Sequence, residues 1–99
     1  MTLFGKRTPN RGDAEFLAAR YKALSEPVRL QVLAYPGLSG MTVTDLATAC
    51  GVSQPTMSHH LQILVAAGFV TAERNGRFVY HRLNRAGLAE VADALRGAS

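Results

Sequence analysis

His59 and His60 stand side by side in the stretch SQPTMSHHLQIL, residues 53–64. A histidine pair can hold a metal ion, move protons or read a nucleic acid. Joint metal binding fits the spacing poorly, because neighbours on a helix diverge by about 100° while helical ligand pairs sit at i and i+4, as in HExxH. No acid or cysteine lies at such spacing from either histidine. Hydrolysis fares no better. Ser58-His59 supplies the residue types, but adjacent helical side chains point apart, no acid is placed to orient the histidine, and 99 residues leave no evident substrate cleft. A non-enzymatic role in nucleic-acid contact is the favoured reading, with surface histidines that do nothing as the alternative.

The whole chain agrees with that reading. Eleven Lys+Arg against seven Asp+Glu give a net charge of +4 and a pI near 9.8, which favours an acidic partner. At 99 residues and 47% hydrophobic the chain fits one small domain, whose core is marginal alone and would gain from a second chain. The single Cys50 rules out an internal disulfide framework and fits a reducing compartment. No apolar run approaches the ~20 residues needed to span a bilayer, and MTLFGKRTPNRGD lacks the apolar core of a signal peptide. A cytoplasmic protein with no membrane partner is expected. Residues 1–12, with Lys6, Arg7 and Arg11 among Gly5, Pro9, Asn10 and Gly12, read as a mobile basic arm ahead of a domain over 13–99.

Five helices and a hairpin must position the histidines. Helix one starts at Asp13 and carries Leu17, Tyr21 and Leu24 at i, i+4 and i+7. SEPVRLQVLAY is helix two, with Ser25 as N-cap, Pro27 in the first turn and Tyr35-Pro36-Gly37 as the stop. In TVTDLATACG, Thr42 and Asp45 form a capping box, Leu46, Ala49 and Cys50 make an apolar face, and Gly51 ends helix three. Helix four opens with Ser53 as N-cap and Pro55 in the first turn, and Gly68 stops it. FVTAER and RFVYHRL, joined at Asn75-Gly76, predict a β-hairpin with a type I′ turn and a basic tip. Helix five follows, with Leu88, Val91, Ala92 and Leu95 in one stripe. The fold class is therefore mainly α with a β-hairpin wing: a winged helix-turn-helix in which helix four is the recognition helix.

On helix four, Met57, Leu61, Leu64, Val65 and Gly68 are expected on the core. The opposite face holds Thr56 and His59, flanked by Ser58, His60 and Gln62, with Gln54 exposed in the first turn. Short polar side chains near a recognition-helix N-terminus can reach base edges, so Ser53, Gln54, Thr56, Ser58, His59 and Gln62 are the candidate DNA contacts. Arg74 and Arg77 flank the hairpin turn and would lie along the backbone or minor groove. An ordinary solvated hairpin is the alternative.

LSEPVRLQVL, TVTDLATACGVSQPTMSHHLQILVAAGFV and ERNGRFVYHRLN, in that order and spacing, resemble the bacterial ArsR/SmtB winged-helix repressors over roughly residues 13–95. The resemblance implies a homodimeric repressor on a palindromic double-stranded operator, with helices one and five at the dimer interface and helix four in the major groove. Ser53, Gln54, Thr56, Ser58 and His59 match recognition positions, Arg74, Asn75, Gly76 and Arg77 the wing, and His60 a packing position. Leu17, Tyr21, Leu24, Leu88, Val91 and Leu95 are the interface candidates, although packing within one chain accounts for them equally well.

The resemblance fails at the metal motifs. Thr42-Val43-Thr44 stands where arsenic, lead or cadmium sensors carry Cys-x-Cys, and RAGLAEVADALRGAS has no histidine where zinc, nickel and cobalt sensors need one. Cofactor identity is thus left unknown. An atypical nickel or zinc site built at the dimer interface from His81, acids and the arm stays open, and the alternative function is a winged-helix protein-interaction module that takes its signal from a partner protein. Cys50 reads as a buried structural cysteine.

Overall fold

The computed structural model describes residues 4–5 and 7–96. Its order is α1 (Arg11–Ala23), α2 (Pro27–Ala34), α3 (Val43–Cys50), α4 (Gln54–Ala66), β1 (Val70–Asn75), β2 (Phe78–Leu83) and α5 (Arg85–Leu95). This is the expected winged helix-turn-helix.

Helix α1 begins two residues before Asp13. Asn10 is its N-cap: the Asn10 side chain accepts the Asp13 N–H at 2.9 Å, and the Asp13 carboxylate accepts the Asn10 N–H at 2.9 Å. Asp13 is therefore the third helical residue, and Arg11 and Gly12, expected in the arm, are helical. Arg7 folds back onto Asp13 in a two-pronged ion pair, with Nη2 donating to Oδ1 at 2.7 Å. The Arg7 hydrogen bond, then the Asn10 amide, holds the Asp13 carboxyl below its usual range. Lys6 lies outside the described residues.

Helix α2 is capped by Glu26, not Ser25, and Glu26 makes no side-chain cap bond. The Ser25 hydroxyl instead donates to the Lys22 carbonyl at 2.7 Å, closing the end of α1. Helix α3 has the expected Thr42–Asp45 box, and Gly51 caps it in the left-handed region at φ 69°.

The core is Val32, Leu38, Leu46, Met57, Leu61, Leu64, Phe69 and Val70, with Ala23, Ala47 and Val91. It lies where α2, α3 and α4 pack together and the hairpin closes against α3 and α4. Val65 is not in it: the side chain is 39% exposed, and His60 is buried instead. Val65 stands about 100° around the helix from Leu64, at the margin of the stripe, and the covered arc is rotated toward His60 because α2 lies on that side.

The strands are antiparallel, with Val70 opposite Leu83 and Asn75 opposite Phe78. The two-residue loop is thus Gly76-Arg77, not Asn75-Gly76. Gly76 has φ 66°, and among the described residues no non-glycine, Arg77 included, has a positive φ, so the turn has the φ pattern of type II′, which needs glycine only at its first central position. Met41 bridges His81 as a third, one-residue strand, through Gly40 N–H to His81 O and His81 N–H to Met41 O, both 2.9 Å.

The terminal helices pack more lightly. The Tyr21 hydroxyl donates to the Val91 carbonyl at 2.8 Å and ties α1 to α5. Asn84 anchors the start of α5, its side-chain amide donating to Gly68 O at 2.8 Å. Gly87 follows so closely that a Cβ there would collide with the Gly68 carbonyl. Among the proposed interface residues, Leu17, Tyr21, Leu24 and Leu88 lean on the chain's own core. Val91 is 3% exposed and belongs to that core, whereas Leu95 is 68% exposed. Intrachain packing consumes Val91 because it sits under Tyr21, one turn before Leu95. No helix among the described residues is long and apolar enough to cross a membrane.

Candidate nucleic-acid interface

Local chemistry builds the start of α4. Ser53 Oγ accepts the Thr56 N–H at 3.2 Å and donates to Thr56 Oγ1 at 2.8 Å. Ser53 is thereby committed to capping, while the Thr56 hydroxyl hydrogen stays free to donate outward. Pro55 lies in the first turn, which carries no acidic side chain, so the unpaired N–H groups there favour an approaching anion.

Thr56, His59 and Gln62 are exposed on the side of the helix away from Met57, Gln54 is exposed in the first turn, and Ser58 is half-buried. His59 and His60 have ring centroids 6.0 Å apart and planes inclined at 54°, but opposite surroundings. His60 is 9% exposed, and its Nδ1 is buried without a hydrogen-bond partner among the described residues. Burial, then the Arg29 charge, pushes the His60 ring below its ordinary value; Glu26 opposes this and His59 adds to it. His59 therefore looks outward and His60 inward against α2.

Arg74 and Arg77 are exposed at the wing tip, and the Arg77 guanidinium lies 5.4 Å from the Phe78 ring centre. Gln54, Arg77 and Phe78 border one cleft with Thr42 and Thr44 at the start of α3. Helix-four periodicity gave no sign of Thr44 or Phe78. The capping box at Thr42 located the first turn of α3, but only packing brings that turn beside Gln54 and the wing.

The possible metal sites look different. His81 is 6% exposed, with Nδ1 3.1 Å from the Met41 carbonyl. No group of three His, Cys, Asp or Glu side chains gathers among the described residues. Cys50 is a half-buried free thiol, and burial pushes its pKa up, away from the reactive thiolate.

Residues 24–73 match a family described as a helix-turn-helix domain. The transcriptional repressor SdpR of Bacillus subtilis is 39% identical over 64 residues, covering 65% of this chain and 71% of that protein. The repressor SmtB of Mycobacterium tuberculosis is 44% identical over 70 residues, which cover 71% of this chain and 52% of SmtB, so the match spans about half of that longer relative. A solution structure from Mycobacterium bovis, the homodimeric winged helix-turn-helix DNA-binding domain of a possible ArsR-family transcriptional regulator, superposes with a TM-score of 0.71. It is 30% identical, with 93% of this chain and 87% of that chain covered. The chain belongs to the ArsR/SmtB family. In this ArsR/SmtB protein the second helix of the helix-turn-helix, α4, and the wing, β1–β2, bring Gln54 and Arg77 to one cleft.

Proposed function

We propose that the protein is a homodimeric transcriptional repressor that binds a palindromic operator and is released by an inducer. Its family membership supports a DNA-binding transcriptional regulator. What supports the reading further is that Gln54, Thr56, His59 and Gln62 are exposed on a capped helix whose first residue, Gln54, shares a cleft with Arg77 of the wing. Gln54 suits adenine in bidentate fashion, Thr56 and Ser58 are less discriminating, and Ser53 holds the first turn in place. Arg74 and Arg77 would contact phosphates, with the basic residues before α1 adding to the same field.

The M. bovis domain is homodimeric. In this chain α1 and α5 hold the exposed Phe16 and Leu95, apolar surface that a second copy would cover, with Leu17, Tyr21, Leu24 and Leu88 beneath. Two-fold symmetry then sets the recognition helices about 34 Å apart, one turn of B-DNA. Footprinting combined with sedimentation tests the reading. A two-fold symmetric footprint from a dimer is expected, with affinity falling steeply as salt rises. A monomer on DNA, or binding indifferent to salt, would refute it.

A further inference from the structure

Val65, absent from the core, is exposed beside other apolar side chains. It lines a groove of about 460 Å³ between α4, the start of α3 and the inner face of the wing, whose apolar walls include Val43, Ala72 and Val79. Three polar side chains join them: Ser58, Gln62 and His81. None of the lining residues is an acid, a lysine or an arginine, in a chain with a net charge of +4, so the groove offers no ion pair to a phosphate or an acidic peptide. Its volume lies within the range of roughly 300–1,000 Å³ usual for small-molecule sites, and apolar walls with a few converging polar groups are their usual lining.

His81 narrows the chemistry. A carbonyl can only accept, so the contact from Nδ1 to Met41 O places the hydrogen on Nδ1, and the neutral ring then presents a lone pair at Nε2. His81 lines the groove, and its Nε2 makes no hydrogen bond with the described residues. An acceptor in the wall of an apolar groove can take a hydrogen bond from a bound molecule, and the valine and alanine walls suit a flat apolar ring.

We propose that this groove binds a small neutral aromatic molecule bearing one O–H or N–H donor, with its ring against Val65 and Val79 and its donor on His81 Nε2. Ser58 and Gln62 belong both to this groove and to the proposed DNA edge, so occupancy changes DNA affinity. The binding site stands independently of the regulator reading; the coupling rests on it.

The test titrates 4-ethylphenol and ethylbenzene into the full chain without DNA, following the Val43, Val65 and Val79 methyl signals and the His81 ring nitrogens by NMR. Saturable shifts with 4-ethylphenol are expected, together with at least roughly ten-fold weaker binding of ethylbenzene, which lacks the donor. Val65→Trp, filling the groove from α4, and Ala72→Met, filling it from the exposed side of the wing, should each remove the shifts, so that one variant suffices if the other fails to fold. Unsaturable shifts, equal affinity for the two probes, or shifts that persist in a folded variant would overturn the site. So would shifts that follow protein concentration without a probe, which would make the groove a contact between copies. For the coupling, saturating 4-ethylphenol should change operator affinity at least about five-fold. An unchanged affinity overturns it. A probe-free protein that binds no DNA overturns coupling and regulator reading together, while the NMR result for the groove stands.

Discussion

The helix-turn-helix with its wing and the pair of terminal helices have similar apolar patterning but very different packing. Leu46, Met57, Leu61, Leu64 and Phe69 are sealed inside the first region, whose two helices open on side-chain caps. In the second, α1 buries Ala23 and Asp13, α5 buries Val91, and Phe16 and Leu95 remain outside. The proposed reading half seals the larger core, which holds its exposed polar residues in place, although Val65 and Phe78 stay exposed. The terminal half leaves apolar surface over, which suits a second copy and explains why so small a domain would gain from one.

The sharpest way to break this comparison is to delete matched leucines. Leu64→Ala should lower stability by about 2–5 kcal/mol in urea unfolding, whereas Leu95→Ala should change monomer stability by less than about 0.5 kcal/mol and instead weaken self-association. Equal losses would mean that the terminal helices carry as much of the core as the reading half. Within the reading half, Gln54→Ala and His59→Ala should each weaken operator binding by about 1–3 kcal/mol, leaving random DNA little affected. Arg77→Ala should weaken all sequences alike and flatten the salt slope by about one. Binding assays on operator and scrambled duplexes at several salt concentrations separate these roles.

Ser53→Ala should cost about 1 kcal/mol of thermal or denaturant stability, because the Thr56 N–H loses its acceptor. A smaller pH effect follows from His60. The folded state disfavours the charged ring, so the unfolded chain takes up the proton first. The contribution from neutral His60 is complete above about pH 6.5 and declines as pH falls through the lower folded value. Unfolding measured between pH 7.5 and 5.5 should show this decline in the wild type and less of it in His60→Phe.

Much of the architecture was legible because it is written in short-range chemistry. The Thr42–Asp45 box, the Ser53 cap, the Gly51 and Gly68 stops and the change from helical to alternating period each act within a few residues, so spacing alone reveals them. The family motifs and the outward direction of His59 are of the same kind. The errors were local competitions with close rivals. Asn10 captured the α1 cap ahead of Asp13, Glu26 took the α2 cap from Ser25, and strand register put Gly76-Arg77 in the turn.

Sequence by itself determined the element order, the helix-turn-helix and the face that His59 occupies, because these depend on helical period and on caps that reach three residues. Tertiary structure decided which margin of α4 is covered. The position of α2 buries His60, while the wing stands off from Val65 and leaves a groove floored by His81. It also sent Val91 inward and Leu95 outward on the same stripe. Periodicity says which residues share a face; only the packing of distant segments says what, if anything, that face meets.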